Sequence, residues 1–410
     1  MPHALFSISR EQLLHDLYHA YKRARLHKAC SPDQQDFELH LETELVSLAN
    51  ELYNRTYRPR PSICFVIREP KHREVFAANF RDRVVHHLYY EYTHQLFERT
   101  FIADTYSCIE GRGTHYGIGR LEHHIKGESQ NYRKTCYILK IDIKGYFMHI
   151  DRKKLLALCM ETLERMRSRN IGGEKPWDEE HDYALVSYLT TIFVLHDPLQ
   201  GCQRRGRIDD WKGLPPSKSL FFSKEGCGLP IGNLTSQLFS NVYMNVFDQY
   251  CKRVLHCHRY GRYVDDAYVV SRDRAWLKSL VAKMREFLKT ELGLQLHPDK
   301  IKMDNCMRGV SFLGAYIKPW RTYAYSDTVR RIRRKVRALD VCGCTPCYLR
   351  AAMSSYAGVF SHYKSRRVCE HALCGSNREL QKVGFFTCSM RRFQVYRSVM
   401  RRWQYLLALL

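Results

Sequence analysis

Apolar positions recur at helical spacing from the start of the chain. Over residues 9–28, Leu13, Leu14, Leu17, Ala20 and Tyr21 share one face behind Ser9, a capping residue with Gln12 three positions later. A second helix is expected from Ser31 and Pro32, with Phe37, Leu41, Leu45, Leu48 and Leu52 on its face, until "YRPRPS" breaks it. "SICFVIREPKHREVFAA" sets two apolar runs around a basic tip and predicts a hairpin. Residues 81–101 again read as helix, and "GRGTHYGIGR" (111–120) as a glycine-rich basic connector.

"TCYILKIDIKGYFMHI" (135–150) predicts a strand, a turn and then a helix from Arg152. The stretch 168–226 is loop-rich around one apolar segment, Tyr183 to Leu195. A glycine turn at "GLPIGN" opens a long helix, "RYVDDAYVV" reads as a strand, and a helix follows from Arg274 to Leu292. A polar turn "HPDK" and a strand pair around "VSFLGAYIK" come next. No internal repeat or low-complexity tract interrupts the chain.

Charge changes the picture. The 410 residues carry a net charge of +24, and from Trp320 onward eighteen Lys and Arg stand against four Asp and Glu. Such a field favours polyanions or an acidic membrane surface. No run is long and apolar enough to span a bilayer. The opening stretch lacks the apolar core of an export signal, so the sixteen cysteines are expected as reduced thiols in a cytoplasmic protein. Nucleic acid is the expected partner. Tyr323, Tyr325, Tyr356, Tyr363, Phe393, Tyr396 and Trp403 interleave with the cations of 320–410, the combination that neutralises a phosphate backbone and stacks on bases. "CGCTPC" (342–347) with Cys369, Cys374 and Cys388 fits no zinc-ligand spacing, and no structural metal is expected there.

The candidate chemistry lies in two acidic strand features, Asp142 in "LKIDIKGYF" and the pair Asp265 and Asp266. Carboxylates converging from two strands suit hard divalent cations, and two such ions can activate a hydroxyl and stabilise a leaving pyrophosphate. A lone aspartate at a strand end is more often a turn residue; the doubled aspartate in an apolar run is what shifts the balance.

These residues are also familiar in order. "KIDIKGYFMHID", "GLPIGNLTSQLFSNVYMN", "YVDD", "LHPDKIKM" and "VSFLGAYIKP" resemble the successive palm motifs of reverse transcriptases. "EPKHREVFAANFRDRVVHH" resembles the fingers of those close to the group II intron type, and "AAMSSYAGVFSHYKS" continues into a thumb-like segment. Most reverse transcriptases carry glutamine before the glycine and proline after the serine of the nucleotide-site motif. The run Ile231-Gly232-Asn233-Leu234-Thr235-Ser236-Gln237 instead is similar to the reverse transcriptases of diversity-generating retroelements.

The resemblance implies an α+β right-hand polymerase with an antiparallel palm sheet and a helical thumb. N-terminal helices and fingers would occupy 1–134, the palm with its insert 135–319, and the basic thumb and tail 320–410. It implies a bacterial or phage enzyme of mutagenic retrohoming that copies a template-repeat RNA into cDNA with errors at adenines. Two Mg²⁺ ions, with Mn²⁺ as substitute, would act as cofactors. The implied partners are template RNA, the RNA–cDNA duplex, dNTPs and a small basic accessory protein forming a pentamer.

By the same resemblance Asp142, Asp265 and Asp266 are catalytic metal ligands, joined by the carbonyl of Ile143. Lys71, Arg73, Lys144, Gly145, Tyr146, Phe147, Ile231, Gly232 and Gln237 form the nucleotide site, Phe147 as a steric gate against the ribose 2′-hydroxyl. Lys300 or Lys302 is the general acid, and Arg112 touches template. Core packing explains Phe147 equally well, a solvated tip explains Lys71 and Arg73, and a polar turn explains the two lysines. Two alternatives stay open: a retron- or intron-like reverse transcriptase of normal fidelity, and a non-catalytic RNA-binding scaffold.

Overall fold

The computed structural model describes residues 7–26, 31–69, 71–341, 343–363, 366–387 and 390–409. The tail of the first expected helix, Pro70 in the hairpin tip, Cys342, Cys388 and the last two residues of the thumb-like segment lie outside them. The chain divides into two compact units. One comprises residues 1–113, 140–268 and 275–301, the other 114–139, 269–274 and 302–410. Helices and antiparallel sheets make an α+β fold. No helix among the described residues is long and apolar enough to cross a membrane.

In the first unit, helix Arg10–Arg25 is capped by Ser9 and buries Leu13, Leu17, Ala20 and Tyr21 against helices Leu41–Tyr53 and Phe80–Glu98. The expected second helix is two, Pro32–Leu39 and Leu41–Tyr53. The chain leaves helical geometry at His40, whose Nδ1 lies 3.1 Å from the Asp36 carbonyl oxygen, a local side-chain bond that competes with the helix ladder. Helix Leu234–Gln249 buries residues around most of its circumference, among them Leu238, Phe239, Val242, Tyr243 and Phe247. An all-round apolar helix belongs in a core, and here it packs on Phe80–Glu98 and Arg152–Met166.

His86 lies in that core. Its Nδ1 is 2.9 Å from the Thr235 hydroxyl and its ring stacks 4.2 Å from Phe193. Burial first, then the nearby His87, His196 and Arg83, push its pKa down to about 3. The imidazole is therefore neutral in the fold, while the unfolded chain binds a proton below about 6.5. Stability attributable to His86 is complete above that pH and is lost as pH falls toward the folded value, at up to ~1.4 kcal/mol per pH unit. His86→Gln is expected to flatten the denaturation midpoint between pH 6.5 and 4; an unchanged slope would remove His86 as the cause.

The basic hairpin forms as expected, Ile63–Ile67 antiparallel to Arg73–Ala77 with Ile67 opposite Arg73. A third strand, Gln203–Arg204, joins parallel to Ile63 and Cys64 and comes from the loop-rich stretch. That stretch clasps the hairpin. The buried Glu74 carboxylate accepts from Trp211 Nε1 (2.8 Å), the Ser219 hydroxyl (3.0 Å) and the Leu220 amide (2.8 Å). Helix Tyr183–Leu195 falls where the apolar segment placed it, with Asp182 as its cap.

Two expectations need correction. "GRGTHYGIGR" is not a connector throughout: a helix runs Thr114–Glu128, because Ile118, Leu121 and Ile125 supply a buried stripe that outweighs its three glycines. "RYVDDAYVV" is not one strand but two, Tyr260–Tyr263 and Asp266–Ser271, joined by a two-residue turn at Val264 and Asp265. A four-stranded sheet runs in the order Tyr260–Tyr263, Asp266–Ser271, Tyr137–Asp142, Lys302–Asn305.

In the second unit, Val310–Phe312, Ala315–Lys318 and Arg321–Ala324 form an antiparallel sheet. Helices Ser326–Arg337, Pro346–Ser361 and Arg366–Leu373 and the hairpin Gly384–Phe386 with Phe393–Val395 enclose a core of Ile332, Val336, Leu349, Met353, Phe360 and Phe393.

Candidate active site

Asp142 ends one strand and Asp266 begins the strand beside it in the sheet. Neighbouring strands run about 4.8 Å apart, so an end and a start at one edge bring their side chains into reach. The Asp142 carboxyl acts on that of Asp266. Asp265 sits in the turn itself, and the turn lets both adjacent aspartates serve one site where an unbroken strand would send them to opposite faces. Burial, then the charge of Asp142, raises the Asp265 pKa. Burial, then Asp265 and Asp142, push Asp266 up to about 7. Three carboxylates thus crowd one another in a partly desolvated place.

Two lysines oppose that charge. Residues 295–297 run beside the end of the Asp142 strand, Gln295 accepting from the Lys144 amide (2.9 Å) and His297 donating to the Asp142 carbonyl (2.8 Å). This delivers the single turn Pro298–Lys300, and Lys300 Nζ contacts both Asp142 oxygens at 2.7 and 2.8 Å. Lys71, exposed at the hairpin tip, lowers the pKa values of Asp265 and Asp266. Lys302 instead begins the strand Lys302–Asn305.

The remaining expected residues fall into separate places. Gly145 adopts φ +57, and a Cβ there would meet the Ser217 carbonyl oxygen at 2.5 Å. Phe147 and Ile231 both pack against the cluster of Cys64, Phe76, Met148 and Leu220, so gate position and nucleotide-motif position share one apolar wall with the hairpin. At Gly232 (φ +133) a Cβ would meet the Phe76 carbonyl oxygen at 2.7 Å, and the Phe76 amide donates to the Ile231 carbonyl. Lys144, Arg73 and Gln237 are exposed, and Tyr146 is buried with its hydroxyl donating to the Ser240 carbonyl at 2.5 Å. Ile143 bridges Leu296. Arg112 Nη1 donates to the carbonyls of Ala103 (3.1 Å) and Thr105 (2.9 Å).

Beneath the turn lies a network that the sequence motifs do not announce. Arg262, fully buried, forks onto Asp248 with Nε 2.8 Å from Oδ1 and Nη2 2.7 Å from Oδ2. Its Nη1 donates to the carbonyls of Asn241 (side chain, 3.2 Å) and Val264 (2.9 Å). Tyr260 and Thr105 hydroxyls complete the Asp248 carboxylate. The Val264 amide donates to Ser107 Oγ at 3.1 Å. Val264 has φ +55, where a β-branched residue is a strained outlier. The network holds both of its backbone polar groups in that conformation. A signal existed: Asn241 and Asp248 lie seven apart on one face of a largely buried helix, and Arg262 stands inside a buried strand.

Among the described residues no group of three or more His, Cys, Asp and Glu side chains is arranged to hold a metal unaided. The donor chemistry of the aspartates nevertheless fits a hard divalent cation, since mutually repelling carboxylates are what such a charge relieves.

Residues 194–317 match the family model described as reverse transcriptase (RNA-dependent DNA polymerase). The chain carries a reverse transcriptase domain. That domain includes Ile231, Gly232, Gln237, Asp265, Asp266 and Lys300, and Asp142 meets it from outside the matched stretch. No curated protein matches the sequence. Among solved structures, telomerase from Candida albicans with a fragment of telomeric RNA aligns at 10% identity and TM-score 0.47, covering 80% of this chain and 56% of that one. Apo telomerase from Candida tropicalis aligns at 11% identity and TM-score 0.45, covering 78% and 57%. The chain spans a little over half the length of these telomerases.

Proposed function

We propose that the protein is an RNA-directed DNA polymerase, and that Asp142, Asp265 and Asp266 hold its catalytic divalent cations, two Mg²⁺ or Mn²⁺, with the Ile143 carbonyl. The observation that carries this is the meeting of the three carboxylates, two of them inside the stretch that matches reverse transcriptases, with Lys300 on Asp142 and the charge of Lys71 acting on Asp265 and Asp266. The cations would supply charge neutralisation at the primer 3′-oxygen and at the departing phosphates. In the reaction the 3′-oxygen bonds to the α-phosphorus, the α–β phosphoanhydride breaks, and pyrophosphate leaves. Lys71 and Arg73 bind its phosphates, and Lys300, whose Nζ lies 2.7 Å from Asp142, or its rival Lys302 gives it a proton. Lys144, Gly145 and Tyr146 shape the floor on which the half-buried Phe147 ring excludes a 2′-hydroxyl. Gly232 and Gln237 border the nucleotide, and Arg112 steadies the loop that leads toward template.

The form Ile231-Gly232…Ser236-Gln237 supports the finer reading of a diversity-generating retroelement enzyme. It would copy a template-repeat RNA with errors at adenines, with a basic pentameric accessory protein as partner, in a bacterial or phage-infected cytoplasm. Ile231 offers the nucleotide an apolar contact where an amide could hydrogen-bond, and apolar contacts discriminate less than polar ones left unpaired by a wrong fit. Primer extension on an adenine-containing RNA, with sequencing of products, tests both levels. The expected result is cDNA with substitutions concentrated at adenines, reduced several-fold in Ile231→Gln. Faithful product keeps the polymerase and removes the subclass. RNA binding without product, with the accessory protein added, leaves a scaffold.

A further inference from the structure

Among the aromatic rings that the second unit leaves exposed, two lie side by side. Phe385 is 46% exposed and Tyr396 39%, their centroids 5.7 Å apart with 33° between planes. Phe385 alternates along its strand with Phe386, which packs on the buried Phe393. Tyr396 is fixed by its amide donating to Val383, and Phe393 by its amide donating to Ser354 Oγ at 3.0 Å. The rings are thus a platform on an anchored hairpin.

With Arg350, Gln394, Val395 and Arg397 they line a cavity of about 430 Å³. No acidic residue lines it, and neither guanidinium has an ion pair or hydrogen bond among the described residues. Two other cations of this lobe do have acidic partners, Arg366 with Glu370 and Lys382 with Glu379. Two uncompensated guanidiniums beside two exposed rings match a ligand with both a flat face and an anionic group.

We propose that this cavity binds one unstacked nucleotide of a single-stranded RNA. The base lies on Phe385 and Tyr396, the phosphates on Arg350 and Arg397, and Gln394 faces the base edge. A duplex keeps its bases stacked inside and cannot use the rings. The inference rests on the reading that the chain handles RNA, but it requires no catalysis.

The test is fluorescence anisotropy of full-length protein with a labelled oligouridine and with a blunt RNA duplex, across a salt series. Base stacking predicts that F385A/Y396A weakens oligouridine binding about 5- to 150-fold with duplex binding and the salt slope unchanged. R350Q/R397Q is expected to shallow the log–log salt slope by about 1.4, as for two single-strand phosphates. The ring-keeping swap F385Y/Y396F is expected to bind as wild type, which separates stacking from misfolding. Equal loss on duplex, an unaffected F385A/Y396A, or competition by polyglutamate peptide as strong as by oligouridine overturns the proposal. Primer extension run alongside keeps the two readings apart: wild type without extension but with ring-dependent oligouridine binding removes the polymerase and leaves the cavity.

Discussion

Asparagine at Asp265 and Asp266, or at Asp142 alone, is expected to lower DNA synthesis on a primed RNA by roughly a thousandfold or more, because cation-held charge stabilisation is worth several kcal/mol. RNA affinity is expected to stay at the wild-type level. The same substitutions are expected to leave the melting temperature unchanged or raised. Each removes one of three crowded carboxylates whose repulsion opposes folding, and asparagine keeps the shape and the hydrogen bonds. Asp142→Asn is the exception to watch, since it leaves Lys300 without its partner, although that ammonium is about half exposed and water can serve it. Extension assays and melting curves on the same preparations decide. Retained synthesis, or lost synthesis accompanied by a collapsed melting temperature, would contradict a catalytic role.

The second large effect concerns Arg262 and Asp248. Removing one partner leaves the other charge buried and unpaired, and Asp248→Asn or Arg262→Met is expected to destabilise the fold by roughly 3–5 kcal/mol. Replacing both with apolar residues, Arg262→Met with Asp248→Leu, is expected to recover most of that stability. Synthesis is expected to stay low, because no guanidinium then donates to the Val264 carbonyl and the strained turn relaxes. The discriminating readout is a fall in kcat at little changed KM for dNTP in a protein that melts normally. A double variant that regains both stability and kcat would make the pair structural only.

Much of this was legible because hydrophobic spacing is local. Helix Tyr183–Leu195 and the hairpin around Lys71 sit where their patterns put them. The helix from Thr114 was obscured by its glycines, which carry a propensity cost that tertiary burial of Ile118 and Leu121 overrides. The turn inside "RYVDDAYVV" was hidden because Val264 is among the last residues expected at positive φ; only Ser107, remote in sequence, and Arg262 as oriented by Asp248 make it tolerable. The three aspartates stood out as charges in apolar runs. The ion pair of Lys300 with Asp142 did not, since it depends on residues 295–297 lining up beside Asp142.

The clasp on Glu74 bears on how the chain can change over time. Residues 203–222 read as spare length, yet they provide all three donors that satisfy a fully buried carboxylate in the strand behind Lys71. A buried carboxylate stripped of its donors is costly enough to melt the strand it sits on. Loss of the segment and loss of the acid must therefore go together in descent: a shorter relative keeps this hairpin only with an uncharged residue at position 74.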